Sequence, residues 1–156
     1  MEQYLVAGST IDYKAAASLF EEYAEWLGID LGFQHFEEEL QSLEKMYAPP
    51  VGGIILCKSG DEFIGCVGIR KHTDTIAELK RMYVQPMHQH KGIGKILLER
   101  SITLAREFHY ELLRLDTMRN MLPAINLYKK NGFYEIDPYY HNPNAAAVYF
   151  EKKLNG

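Results

Sequence analysis

Apolar and polar residues change their period several times along this chain, and each change marks an element. Gln3 to Ala7 is a short apolar-rich run that reads as a first strand. Ser9, with Asp12 three residues on, has the spacing of a capping box, and Ala15, Leu19, Tyr23 and Leu27 then follow one helical stripe. Gly28 and Gly32 interrupt it. Phe36, Leu40, Leu43 and Tyr47 restore a helical period until Pro49 and Pro50 stop it. From Gly52 the period shortens: Ile54 to Cys57, the turn Ser59-Gly60-Asp61, and Phe63 to Ile69 have the layout of a β-hairpin. Ile76 to Gln85 adds a third strand, although it carries Glu78, Lys80 and Arg81. Three charges in a strand otherwise suited to the interior require partners from elsewhere in the chain.

Pro86 closes that strand. Beyond Gly92, the residues Ile93, Ile96, Leu97, Leu104, Ala105 and Phe108 recur at helical spacing, so this helix is expected to lie on the sheet. Leu112 to Asp116 reads as a strand and Pro123 to Lys130 as a helix stopped by Asn131 and Gly132. Phe133 to Ile136 and Ala146 to Leu154 supply the last two strands. The order βααβββαβαββ predicts an α/β fold with a mixed sheet flanked by helices. With neither a repeat nor a linker, the 156 residues are expected to form one domain, residues 1–156.

Composition narrows the partners. Seventeen Lys and Arg against 21 Asp and Glu leave a net charge of −4, which offers nucleic acid no overall electrostatic footprint. No apolar run approaches the roughly 18 residues that cross a bilayer, and Met1 to Leu5, with Glu2 inside it, lacks the pattern of a signal peptide. A cytoplasmic location without membrane attachment is expected. Cys57 and Cys66 lie in apolar runs flanking the hairpin turn and read as reduced core thiols. His88 and His90 have no third ligand at metal-binding spacing, so no metal is expected. Oligomeric state leaves no mark in the sequence, and a homodimer is the default.

The chemistry concentrates between the third strand of the sheet and the long helix. Gln89-His-Lys-Gly-Ile-Gly94 places two glycines at a helix start, where free N–H groups carry about half a positive charge and suit a phosphate. Lys91 and Lys95 add charge at the same mouth. Together with the strand Ala77 to Val84 and the stretch Ala124 to Phe133, this segment resembles the GCN5-related N-acetyltransferase (GNAT) family. Gln89, Gly92 and Gly94 fill the family's Gln/Arg-x-x-Gly-x-Gly/Ala signature, and Ala124, Tyr128, Gly132 and Phe133 fill its Ala-x-x-x-Tyr and Gly-Phe pattern. The family's frequent Asn three residues before that Ala is Met121 here, with Asn120 one step earlier.

The resemblance implies acetyl-CoA as co-substrate, its pantetheine amides on the strand edge of Met82, Tyr83 and Val84, and its pyrophosphate on the N–H groups of His90, Lys91, Gly92, Ile93, Gly94 and Lys95, with Gln89 opening the loop. It also implies transfer to a primary amine, with Tyr128 serving the departing sulfur and Glu78 acting as base through water, its pKa raised by partial burial. A base helps, because deprotonating a lysine-type ammonium at pH 7 costs about 4.6 kcal/mol. Strand alternation puts Glu78 on the face of Met82; the competing reading is an ion pair with Lys80 or Arg70. Phe33, Tyr139, Tyr140 and His141 are candidate acceptor contacts, beside Tyr13, Tyr23, Trp26 and Phe36, although aromatics at helical spacing are usually core. Acidity and the aromatic loop favour a small-molecule amine over a protein. A non-catalytic acyl-CoA sensor of the same fold is the alternative.

Overall fold

The computed structural model describes residues 1–155, with every side chain except that of Phe33. In chain order the elements are β1 (Glu2–Val6), α1 (Thr10–Leu27), a 3-10 turn (Gly32–Gln34), α2 (Phe36–Gln41), α3 (Leu43–Met46), β2 (Gly53–Ser59), β3 (Glu62–Lys71) and β4 (Ile76–Val84). A second 3-10 turn (Pro86–His88) leads to α4 (Ile93–Glu107), then β5 (Leu112–Met118), α5 (Leu122–Lys130), β6 (Tyr134–Ile136) and β7 (Ala147–Lys153). The seven strands form one sheet in the order β1-β2-β3-β4-β5-β7-β6. Neighbours are antiparallel except β4 and β5, which run parallel.

The capping box forms as read: Asp12 N–H donates to Ser9 Oγ at 3.1 Å and Ser9 N–H donates back to Asp12 Oδ2 at 3.2 Å. The helix expected from Phe36 to Tyr47 is broken in two at Ser42, whose φ of −128° and ψ of 22° leave the helical region. Ile96, placed on the buried stripe of α4 by spacing, is 36% exposed; Ile93, Leu97, Ile102 and Ala105 carry that stripe. Each sheet face is covered. α4 and α5 press Leu97, Leu98, Ile125 and Tyr128 onto one face, against Val67, Leu79, Leu113 and Phe150. α1 to α3 press Leu19, Phe20, Phe36 and Leu43 onto the other, against Ile54, Leu56, Cys66 and Tyr83. Cys57 and Cys66 are both buried free thiols, one in each core.

The charges of β4 are explained by a bulge. Between the pairs Gly68–Lys80 and Cys66–Tyr83, β4 spends one residue more than β3, and Arg81 takes a left-handed φ of 59°. Side-chain parity therefore reverses within the strand. Ala77 and Leu79 face the α4 core before the bulge, Met82 packs on that core after it, and Glu78, Lys80, Arg81 and Tyr83 fall on the α1 to α3 side. The expectation from simple alternation, that Glu78 shares a face with Met82, is thus corrected.

Candidate active site

β4 and β5 pair only through Ile76, Ala77 and Glu78, matched to Leu112, Leu113 and Arg114. Past Glu78 the strands part, leaving the β5-facing edge of Leu79 to Val84 without a strand partner and opening a groove of about 410 Å3. Met82 to Val84, Gln89, His90 and Gly92 to Lys95 line it, with Trp26, Asn120, Met121, Ala124 and Leu127 opposite or beside them. Lys91 is exposed next to this wall and is not part of it.

The loop entering α4 turns through His90 (φ 65°) and Gly92 (φ 85°), both left-handed. Gly92 suits that conformation because it has no Cβ. Ile96 N–H is the first to reach back, to Gly92 O at 3.2 Å, so the N–H groups of Ile93, Gly94 and Lys95 have no partner within the helix. A Cβ on Gly94 would come no nearer than 4.0 Å to Leu127. Gln89 acts on the loop itself, its Nε2 donating to Val84 O at 3.0 Å. An elongated ligand carrying amides along its length and a diphosphate at one end matches this combination of strand edge and helix start.

Tyr128 stands where the strands part. Its ring packs against Phe133 and Phe150, with centroids 5.7 and 6.4 Å away, and it lines a recess of about 110 Å3 together with Met82, Ala124, Met121 and Asp116. Its hydroxyl makes no hydrogen bond among the described residues. Burial raises its pKa, so the phenol stays protonated.

On the α1 to α3 face the β4 charges find partners from distant elements. Arg81 donates two hydrogen bonds to Glu39, at 2.9 and 3.2 Å, and Tyr47 Oη donates a third to the same carboxylate at 3.0 Å. Glu78 accepts from Arg70 Nη2 at 3.2 Å and from Tyr139 Oη at 2.9 Å, with His72 Nδ1 4.0 Å away. Burial pushes the Glu78 pKa up, but Lys80, Arg70 and the Tyr139 hydrogen bond outweigh it, and the net shift is downward. The expected rise is therefore reversed, and the ion pair with Arg70 is present.

Of the candidate acceptor contacts, Tyr139 and Tyr140 converge on this face: Tyr140 Oη donates to Asp116 Oδ2 at 2.7 Å and accepts from Gln34 Nε2 at 2.9 Å. His141 is exposed, and the side chain of Phe33 lies outside the described residues. Tyr13 donates to Tyr47 O at 3.2 Å and is a packing residue. Trp26 lines the groove and, with Tyr23, the recess that holds Tyr128.

Lys80, Asp116 and Glu39 were not singled out as site residues from the sequence. Asp116 had a readable signal, since Leu113 and Leu115 face the α4 core and alternation turns Asp116 to the other side. Glu39 had one too, lying on the helical stripe between Phe36 and Leu43, though it sits in an acidic run that resembles a solvated face. Among the described residues no group of three His, Cys, Asp or Glu is placed to hold a metal, and no helix is long and apolar enough to cross a membrane.

The strand splay, the glycine-started helix and the charged pocket across the sheet form one continuous candidate site. Residues 16–133 match the Acetyltransferase (GNAT) family. An uncharacterised N-acetyltransferase of Dictyostelium discoideum is 33% identical, the alignment covering 86% of this chain and 90% of that protein. An acetyltransferase of the GNAT family from Staphylococcus aureus superposes with a TM-score of 0.81 at 20% identity, over 99% of this chain and 100% of that one. The PaiA N-acetyltransferase of Thermoplasma acidophilum, solved in complex with coenzyme A, does so with a TM-score of 0.74 at 21% identity, over 97% and 99%. The chain belongs to the GNAT acetyltransferase family and is an acyltransferase.

Proposed function

We propose that this protein, acting as one domain, transfers the acetyl group of acetyl-CoA to the primary amine of a small molecule, by direct attack in a ternary complex. The observation that carries the reading is the parting of β4 from β5. It gives a free strand edge and free helix N–H groups on one side, a polar pocket on the other, and Tyr128 and Asp116 where the two meet. The Thermoplasma acidophilum relative in fold was solved with coenzyme A, which supports the choice of co-substrate.

Acetyl-CoA supplies a thioester whose C–S bond breaks as the amine nitrogen bonds the carbonyl carbon, the sulfur leaving as thiolate and taking up a proton. The edge of Met82 to Val84 would hold the amide arm, and the N–H groups at the start of α4 the diphosphate. Tyr128 would donate a hydrogen bond to the departing sulfur. Full proton transfer from an ordinary phenol to a thiolate is already uphill by about 2 kcal/mol, and burial makes it steeper, so hydrogen bonding is the role that fits. Glu78 would accept the amine's proton through water; its lowered pKa keeps it ionised and makes it a weaker base than a raised one. Both cysteines are buried in the cores, and burial pushes the Cys66 thiol well up, which favours direct transfer over a covalent enzyme intermediate. The net charge of −4 and the narrow pocket favour a small amine.

Release of CoA thiol from acetyl-CoA in the presence of amines tests the reading. Tyr128→Phe should lower kcat by about tenfold or more while the Kd for acetyl-CoA stays near wild type. An unchanged kcat would reassign Tyr128 to packing.

A further inference from the structure

Behind the splay, a pocket of about 40 Å3 is walled by α1, the first 3-10 turn, β4, β5 and the loop before β7. Its polar lining includes two cations, Lys80 and Arg81, and one anion, Asp116, and of these Lys80 and Asp116 have unused bonding capacity. Lys80 is 4% exposed, and among the described residues its Nζ makes one hydrogen bond, to Gln34 Oε1 at 3.2 Å. Asp116 uses only Oδ2, which accepts from Tyr140 at 2.7 Å and from Asn142 at 3.4 Å. Its Oδ1 stands 3.9 Å from Lys80 Nζ, too far for a hydrogen bond. The neighbouring cation is not available in the same way, because Arg81 is held by both oxygens of Glu39.

An ammonium has three donors and a carboxylate oxygen two acceptor positions, so among the described residues Lys80 Nζ has two donors, and Asp116 Oδ1 both acceptor positions, open to a ligand. A ligand that brings the opposite pair satisfies both: its carboxylate to Lys80, its ammonium to Asp116. In an α-amino acid the two groups sit on one carbon, which suits a cation and an anion this close. Asp116 and Thr117 also line the recess that holds Tyr128 and Met82, so an amine seated on Asp116 lies at the opening toward the cofactor groove. Burial and the adjacent Arg81 push the Lys80 pKa down, and an incoming carboxylate relieves that unfavourable field.

We infer that the acceptor is a small zwitterion of the α-amino acid class, its carboxylate bound by Lys80 and its amine by Asp116. The inference rests on the acetyl-transfer reading above and adds the substrate class. Tyr140, Gln34 and Asn142 act as positioning residues, fixing Asp116 and Lys80 through the hydrogen bonds given.

The test is a thiol-release panel on the wild-type enzyme, pairing each standard L-amino acid with its α-carboxamide and its decarboxylated amine. For the best acceptor, kcat/KM should fall about tenfold or more on loss of the carboxylate, with the KM for acetyl-CoA unchanged. Lys80→Met should bring the acid-to-amide ratio of kcat/KM to about one, through a loss on the acid. Asp116→Asn should lower kcat/KM on acid and amide alike, mainly through the acceptor KM. Circular dichroism establishes that each variant is folded, and the wild-type panel stands without them. Equal rates on acid and amide, or release only with protein acceptors, would overturn the inference and leave acetyl transfer in place. No release with any amine, small or protein, would overturn both.

Discussion

Glu78 is 5% exposed, yet Arg70, Tyr139 and Lys80 keep its carboxyl ionised against the effect of burial. Because its pKa is depressed in the folded state, its contribution to stability is fully present above the ordinary glutamate value of 4.5 and is lost as pH falls through the lower folded value. Glu78→Gln should therefore be less stable than wild type at pH 7, with the gap closing below about pH 4 in urea titrations. If the carboxylate also takes the amine's proton, the variant's rate should drop most at neutral pH and recover near the substrate amine's own pKa. A pH–rate profile parallel to wild type would confine Glu78 to the ion pair. Glu78, Tyr128, Gly92 and Gly94 were legible in the sequence because each stands at a fixed spacing from neighbours in one stretch of chain. For Asp116 and Glu39 the sequence shows the side each takes but not its role, since their partners lie 24 and 42 positions away and only folding brings them together.

At the scale of elements, order and type followed from periodicity, because most segments bury one face and alternate accordingly. The exceptions are local. Ser42 breaks the helix expected through Tyr47, and the bulge at Arg81 shifts the parity of β4 by one, which no hydrophobic pattern reveals when both faces of the strand are buried. That bulge sends Lys80 and Arg81 to one face, and the edge of Met82 to Val84 near the start of α4 is free because pairing with β5 ends at Glu78. The helix start is where the element can be tested apart from the fold. A side chain at Gly94 meets only Leu127, at the distance of ordinary contact, so Gly94→Val should fold and melt within a few degrees of wild type. The added methyls would sit against the N–H groups that face the groove, and calorimetric affinity for CoA should fall by about tenfold or more. Undiminished affinity in the folded variant would make the loop merely structural.

Across the whole molecule, two cores press on a sheet whose middle strand is paired on its β5 side only through Ile76, Ala77 and Glu78. β4, the start of α4 and α5 all line the resulting groove, so a ligand lying in it ties together parts that the sheet leaves separate. Such a ligand binds the native state and not the unfolded chain, and mass action then stabilises the fold by about 2.7 kcal/mol at a concentration a hundredfold above its Kd. For a chain of 156 residues that corresponds to a rise in Tm of roughly 5 to 10 °C. Acetyl-CoA should produce this shift in a thermal scan, and CoA nearly as much, because the strand edge and the helix start engage the arm and the diphosphate that the two share. NAD offers the diphosphate but no extended amide-bearing arm to lie along Met82 to Val84, so at the same concentration it should move Tm by a degree or less. Equal shifts with NAD and acetyl-CoA would mean that the helix start alone captures phosphate and that the free edge of β4 has no part in binding.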